Sequence, residues 1–356
     1  MRLPHFLFCA AAIALAGCGT PGAPRPPSLG IPKPVSDLQA TRKGALVTLS
    51  WTAPIETTDG ELVKKTGKIV VMRALAQGAP GQPVAETPLH PALKDLRPEK
   101  NSATDSLASL LQSGATEDFV FYDVSAFSRS GVSAGLSNQV SVPMAATLPA
   151  PQHVAASPVP RGVKLTWEAG GQVTGPARLN PQFLYRIMRR LEGAQEPVMA
   201  GQVEAGNGAD IFVDTGIEWE KNYQYWITPV TFWHGEGRKG ELEGDDSQVV
   251  SVFAHDSFPP AVPSGLQAVF SGVVQRPGID LTWTLNSDDD LAGYNVYRSS
   301  DQGQAVKINT ELVKTPAFHD AGVQPGMKYT YSVSAVDLRG NESGRSAEAS
   351  EVVPKE

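Results

Sequence analysis

Three stretches of the chain alternate apolar and polar residues with a period of two and run into a tryptophan: Val47, Leu49, Trp51; Val163, Leu165, Trp167; and Ile279, Leu281, Trp283. Such alternation predicts half-buried strands whose apolar members share one face, so each tryptophan points into a core. Both gaps between successive tryptophans are 116 residues, and self-similarity at a fixed spacing marks a repeated unit. Three copies of one unit account for the pattern.

The copies continue downstream. Ile69-Val70-Val71-Met72-Arg73, Tyr185-Arg186-Ile187-Met188-Arg189 and Tyr294-Asn295-Val296-Tyr297-Arg298 share apolar first and third positions and an arginine at the fifth. In the second and third units an aspartate, Asp214 or Asp320, stands nine residues before a Tyr-x-Tyr strand that begins at Tyr223 or Tyr329. In the first unit Val120 takes the place of that leading tyrosine, no aspartate stands nine residues before it, and about twenty extra residues precede Phe119. The extra stretch, 92–112, has room for a short helix. Leading prolines (Pro34, Pro151, Pro263) open the units.

These features resemble the fibronectin type III family. Its leading-proline strand, its B-strand tryptophan, its C-strand tyrosine (Tyr294) and its F-strand Tyr-x-Tyr-x-Val-x-Ala (329–335) are all present in the third unit, and the second keeps the C-strand tyrosine as Tyr185. The resemblance implies an all-β chain of three tandem immunoglobulin-like (fibronectin type III) β-sandwiches, with Trp51, Trp167, Trp283, Tyr185, Tyr294, Tyr223 and Tyr329 as core markers and the last two at tyrosine corners. The expected units are 34–145, divergent and with the insertion, then 149–254 and 259–354. The family is a scaffold with many uses and implies no single activity.

The amino terminus sets the expected location. Arg2 and His5 precede an apolar run from Phe6 to Ala16, followed by Gly17 and Cys18, which is the layout of a secretory signal, too short to span a bilayer. Leu15-Ala16-Gly17-Cys18 resembles the lipobox of bacterial lipoproteins. The resemblance implies a signal peptide over 1–17, cleavage between Gly17 and Cys18, and diacylglycerol with a further acyl chain such as palmitate on Cys18. More than one acyl chain anchors a protein stably. Gly19 stands where an aspartate would retain an enterobacterial lipoprotein at the inner membrane, so the outer membrane is the expected site within the cell envelope. Residues 18–33 read as a Pro/Gly-rich spacer, extended by its prolines.

Composition narrows the function. The chain holds two cysteines, Cys9 in the segment to be removed and Cys18, so the exported part has neither a disulfide nor a cysteine metal site. A net charge of -7 supplies no basic field for nucleic acid. The six histidines are scattered, and no metal site or other cofactor is implied. His255-Asp256-Ser257 has the residue types of a catalytic triad but reads as linker. Asp288-Asp289-Asp290 lacks the glycine and distal glutamate of an EF-hand and reads as a solvated loop. Arg339-Gly340-Asn341 reads as a plain turn. No catalytic set emerges.

One candidate binding face remains. If Tyr223, Tyr225 and Ile227 point inward, alternation turns Trp226, Thr228, Val230 and Phe232 outward beside Arg186, Met188 and Arg190, with Trp233 and His234 at the following loop tip. Aromatic, methionine and arginine side chains are enriched at protein interfaces. The favoured expectation is a non-enzymatic, membrane-anchored scaffold with an envelope protein or glycan as partner. The alternative is a glycan or cell-wall binding module using the aromatic side chains of the second unit. An envelope hydrolase seated in the 89–113 segment ranks third.

Overall fold

A computed structural model describes residues 28–92, 98–114, 116–171, 173, 179–206, 210–235, 237–273, 276–300 and 303–355. The signal segment, Gly17 and Cys18 lie outside the described residues. The described chain is almost wholly β, and none of its helices is long and apolar enough to cross a membrane. It separates into two compact units, one built mainly from 46–108 and 117–144, the other mainly from 145–356.

The first unit holds β1 (Gln39–Lys43), β2 (Leu46–Thr52), β3 (Gly67–Ala74), β4 (Gln82–Leu89), β5 (Lys100–Ser106), α1 (Ala108–Gln112), β6 (Phe119–Phe127), β7 (Ser133–Leu136) and β8 (Val140–Pro143). One layer runs β1-β2-β5, and the other runs β4-β3-β6-β7 with β8 also on β6. Val47, Leu49 and Trp51 of β2 are fully buried, as are Ile69 and Val71 of β3 and Tyr122 and Val124 of β6, so the apolar faces of both layers close on one core. The extra stretch before Phe119 is more than the expected short helix. Strand β5 pairs along the whole of β2, from Leu46 opposite Ser106 to Thr52 opposite Lys100, before α1 begins.

The second unit contains two sandwiches with separate cores. The earlier comprises β9 (Gln152–Val159), β10 (Gly162–Glu168), β11 (Gln182–Leu191), β12 (Val198–Glu204), β13 (Ile211–Asp214), β14 (Lys221–Gly235), β15 (Arg238–Glu243) and β16 (Val250–Ala254). Its layers run β13-β10-β9 and β12-β11-β14-β15, with β16 also on β14. The later comprises β17 (Gln267–Val273), β18 (Arg276–Thr282), β19 (Leu291–Ser300), β20 (Val306–Lys307), β21 (Ala317–Asp320), β22 (Lys328–Asp337) and β23 (Ala349–Val352). Its layers run β17-β18-β21 and β20-β19-β22-β23.

The two cores repeat one geometry. Trp167 meets Tyr185 edge-on at 5.6 Å and Trp283 meets Tyr294 edge-on at 5.1 Å, both at an interplanar angle of 75°. This is the arrangement the ring quadrupole favours. The Tyr223 hydroxyl accepts the Glu218 amide at 2.8 Å, and the Tyr329 hydroxyl accepts the Gln324 amide at 3.1 Å. Each closes a tyrosine corner, and the guanidinium of Arg189 or Arg298 lies 5.5 or 5.2 Å from the tyrosine ring centre.

All three sandwiches share a buried clamp. In the first, Arg73 Nη1 lies 2.7 Å from Asp105 Oδ2, which also accepts the Tyr122 hydroxyl at 2.7 Å. In the second, Arg189 Nη1 and the Tyr225 hydroxyl reach Asp214 Oδ2 at 2.7 and 2.9 Å. In the third, Arg298 Nη1 and the Tyr331 hydroxyl reach Asp320 Oδ2, both at 2.8 Å. Arginine and tyrosine stand on one layer and the aspartate on the other, so each clamp ties the two sheets together. Burial, with the carboxylate beside it, pushes all three phenols far above their ordinary range.

Candidate functional site

The expected binding face lies on β11 and β14 of the second sandwich. Antiparallel pairing sets Arg186 opposite Thr228, Met188 opposite Trp226, Arg190 opposite Gln224 and Gln182 opposite Phe232. Met188 and Trp226 are half-buried cross-strand neighbours. Arg190 donates from Nε and Nη2 to Gln224 Oε1 at 3.1 and 2.6 Å, and its guanidinium lies 5.9 Å from the Trp226 ring centre. The side chain of Arg186 is engaged by Glu241 at 2.6 Å and Glu243 at 3.0 Å, both on β15.

Two expectations change here. Tyr223, Tyr225 and Ile227 are buried as alternation requires, but Thr228, Val230 and Thr231 are buried as well. The alternation breaks over this stretch, where Thr228 donates its hydroxyl to Asp246 and pairing with β15 begins at Val230. Trp226 and Phe232, six residues apart on one strand, are therefore about 20 Å apart with buried positions between them, and no continuous aromatic platform joins them. Trp233 is not at a loop tip: β14 runs on to Gly235, and Trp233, 7% exposed, sits opposite Gly240 with its ring where a side chain on Gly240 would lie. Phe232 is 39% exposed and His234 is exposed. The accessible part of the face is Met188, Arg190 and Trp226, with Phe232 apart from them.

A second group of residues emerges where the two later sandwiches join, and sequence order had hidden it. Asp256 follows β16, Asp290 precedes β19 and Asp337 ends β22, yet one carboxylate oxygen from each lies within 4.8 Å of the others. Asp256 and Asp337 are buried and Asp290 is half-buried. Burial, and then the charges of Asp337, Asp256 and Asp288, hold the Asp290 carboxyl above its ordinary value. Asp337 accepts the Arg339 and Asn341 amides on Oδ1, each at 2.8 Å, and the Asn341 side chain on Oδ2 at 2.8 Å. The run Arg339-Gly340-Asn341 is thus a turn folded on Asp337. Oxygen atoms so placed are of the type a hard cation takes. Beside them Arg161, Thr215, Trp219 and Ser287–Asp290 line a cleft of about 640 Å3. Trp219 also packs on Phe258, with ring centres 6.3 Å apart. The stretch 255–257 forms no triad: His255 Nδ1 meets Glu220 at 3.0 Å, and the Asp256 amide donates to Glu220 at 3.2 Å.

Layer composition, tyrosine corners and tryptophan cores together define a chain of tandem immunoglobulin-like β-sandwiches. No family model matches the sequence. Among solved structures, an Fn3-like protein from Clostridium thermocellum is 37% identical, over 28% of this chain and 98% of that one, with a TM-score of 0.24. The first to third FN domains of chicken CNTN1 are 14% identical, over 91% of this chain and 100% of that one, with a TM-score of 0.26. The described chain is thus built of tandem Fn3-like β-sandwich domains, as its paired layers, tryptophan cores and tyrosine corners show. Curated relatives include an amylopullulanase of Thermoanaerobacterium thermosulfurigenes, 39% identical over 101 residues, 28% of this chain and 5% of the relative. An exoglucanase B of Cellulomonas fimi is 40% identical over 93 residues, 26% of this chain and 8% of the relative. The matches thus span under a tenth of either relative's length.

Proposed function

We propose that this chain is a lipid-anchored, non-enzymatic protein of the bacterial cell envelope, held by Cys18 at the outer membrane and acting through its tandem Fn3-like sandwiches as an interaction or structural scaffold. The observation that carries this reading is the recurrence of one Arg-Asp-Tyr clamp in every sandwich. The most deeply set ion pairs hold sheet to sheet, which serves rigidity, rather than facing a cleft where a substrate could meet them. The run Leu15-Ala16-Gly17-Cys18 supplies the anchor. The test is crosslinking and pull-down from native membranes with wild type and Cys18→Ser. A partner recovered with wild type alone supports the reading. Equal distribution of both forms in the soluble fraction removes the anchor from it.

A second reading, glycan or cell-wall binding, is favoured by the Arg190-Trp226 stack and by relatives whose names denote glucan-degrading enzymes. Retention on insoluble glucan or peptidoglycan, abolished by Trp226→Ala, is its expected result. Trp233 is unsuited to that test because it is buried.

A further inference from the structure

The residues with which the described chain opens line a cavity of about 320 Å3 in the first sandwich. Ser28 and Gly30 form one wall, Lys64 and Lys65 a second, and Ser128 and Arg129 a third. The entering strand is fixed beside it, since Ile31 O accepts the Thr58 amide and Glu56 O accepts the Lys33 amide, both at 2.9 Å. Lys64 is paired with Glu61 at 2.8 Å. Lys65 and Arg129 are exposed and form no ion pair among the described residues. With Glu61 paired to Lys64 and Asp59 taking the Ser28 hydroxyl at its edge, the cavity still presents two cations without an ion-pair partner, Lys65 and Arg129, beside several hydroxyl groups, in a chain whose net charge is -7.

Its place along the chain adds the second argument. Ten residues of chain lead from Cys18 to Ser28, and fully extended they reach about 35 Å. A lipid on Cys18 would hold this cavity within that distance of the bilayer. We propose that the cavity takes the phosphate of an anionic phospholipid headgroup from the membrane that anchors the chain, an inference that rests on the lipid-anchor reading above. Two cations bind such a headgroup weakly from solution, but a tether of this length raises the effective concentration into the millimolar range. The contact would orient the first sandwich on the membrane.

The test is lysine acetylation of the lipidated full chain in vesicles of phosphatidylcholine, with and without phosphatidylglycerol. Lys64 and Lys65 should label about fivefold more slowly with phosphatidylglycerol, while Lys307 and Lys328 stay unchanged. The double variant Lys65→Glu, Arg129→Glu should remove the protection at Lys64. Equal labelling in both vesicles overturns the proposal. Protection by inorganic phosphate in phosphatidylcholine vesicles, equal to that of phosphatidylglycerol, replaces membrane docking with a soluble phosphate site. If mass spectrometry finds Cys18 unmodified, the anchor reading fails, and the Cys18→Ser chain with concentrated phosphatidylglycerol vesicles decides the cavity alone: protection there upholds the headgroup site, and its absence overturns it.

Discussion

Tyr122 donates its hydroxyl hydrogen to Asp105 Oδ2 across 2.7 Å, joining two strands that belong to opposite layers of the first sandwich. The same oxygen holds Arg73. In a site so shielded the ion pair and the hydroxyl bond support one another, and removing one member leaves the others uncompensated.

Breaking the clamp in the second sandwich separates these contributions. Asp214→Asn removes the counter-charge of Arg189 and should cost about 3 kcal/mol, whereas Tyr225→Phe removes one hydrogen bond to a charged group and should cost about 1.5 kcal/mol. Urea unfolding of the full chain, followed by tryptophan fluorescence, compares them. A smaller loss for Asp214→Asn than for Tyr225→Phe would mean that the ion pair adds nothing.

Trp283 is buried with its indole N–H making no hydrogen bond. Trp283→Ala should therefore cost about 3 to 5 kcal/mol through the cavity it leaves, and Trp283→Phe much less, because no polar partner is stranded. Thermal unfolding reads both, and similar losses for the two would argue against packing as the cause.

Gly162 adopts φ +144°, and a Cβ there would stand 2.0 Å from the Asp214 carbonyl oxygen. Gly162→Ala forces the β9-β10 turn away from the strand that carries the clamp aspartate. A loss of about 1 to 3 kcal/mol is expected, measured as a fall in the unfolding midpoint, and an unchanged midpoint would show that the turn relaxes freely.

Asp290 has its pKa raised in the fold, by burial first and by neighbouring carboxylates next. Between its ordinary value and the raised one, the folded state holds more protons than the unfolded state, so stability from this group falls as pH rises through that window and stays low above it. Asp290→Asn should raise the unfolding midpoint at neutral pH and lose that advantage below the ordinary carboxylate range. A midpoint difference that ignores pH would refute the electrostatic cause.

The strand faces were legible because period two is a strong signal when one face is buried. Val47, Leu49 and Trp51, like their counterparts, lie where alternation places them. The arginine at the fifth position was legible as a repeat and Asp214 and Asp320 as a shared spacing, but that the two form a pair shows only in the folded chain. In the first sandwich α1 and its loop lengthen the path, so Asp105 is seventeen residues from Tyr122, against eleven for the other two pairs. Trp233 escaped because the strand was expected to end before it: counted in twos from Tyr223, Tyr225 and Ile227, it falls on the inward face, and β14 runs on to Gly235. The grouping of Asp256, Asp290 and Asp337 escaped because loop ends meet through topology, which no local pattern records.

Many secreted sandwiches cross-link their sheets with a disulfide packed on the core tryptophan. Here Arg-Asp-Tyr spans the layers in each sandwich, and the sequence offers no thiol beyond Cys9 and Cys18. A fastening made of charge and hydroxyl needs no oxidant to close and no isomerase to correct. Each sandwich can therefore set as soon as its own strands meet, and reductants that slacken disulfide-bonded neighbours leave it untouched.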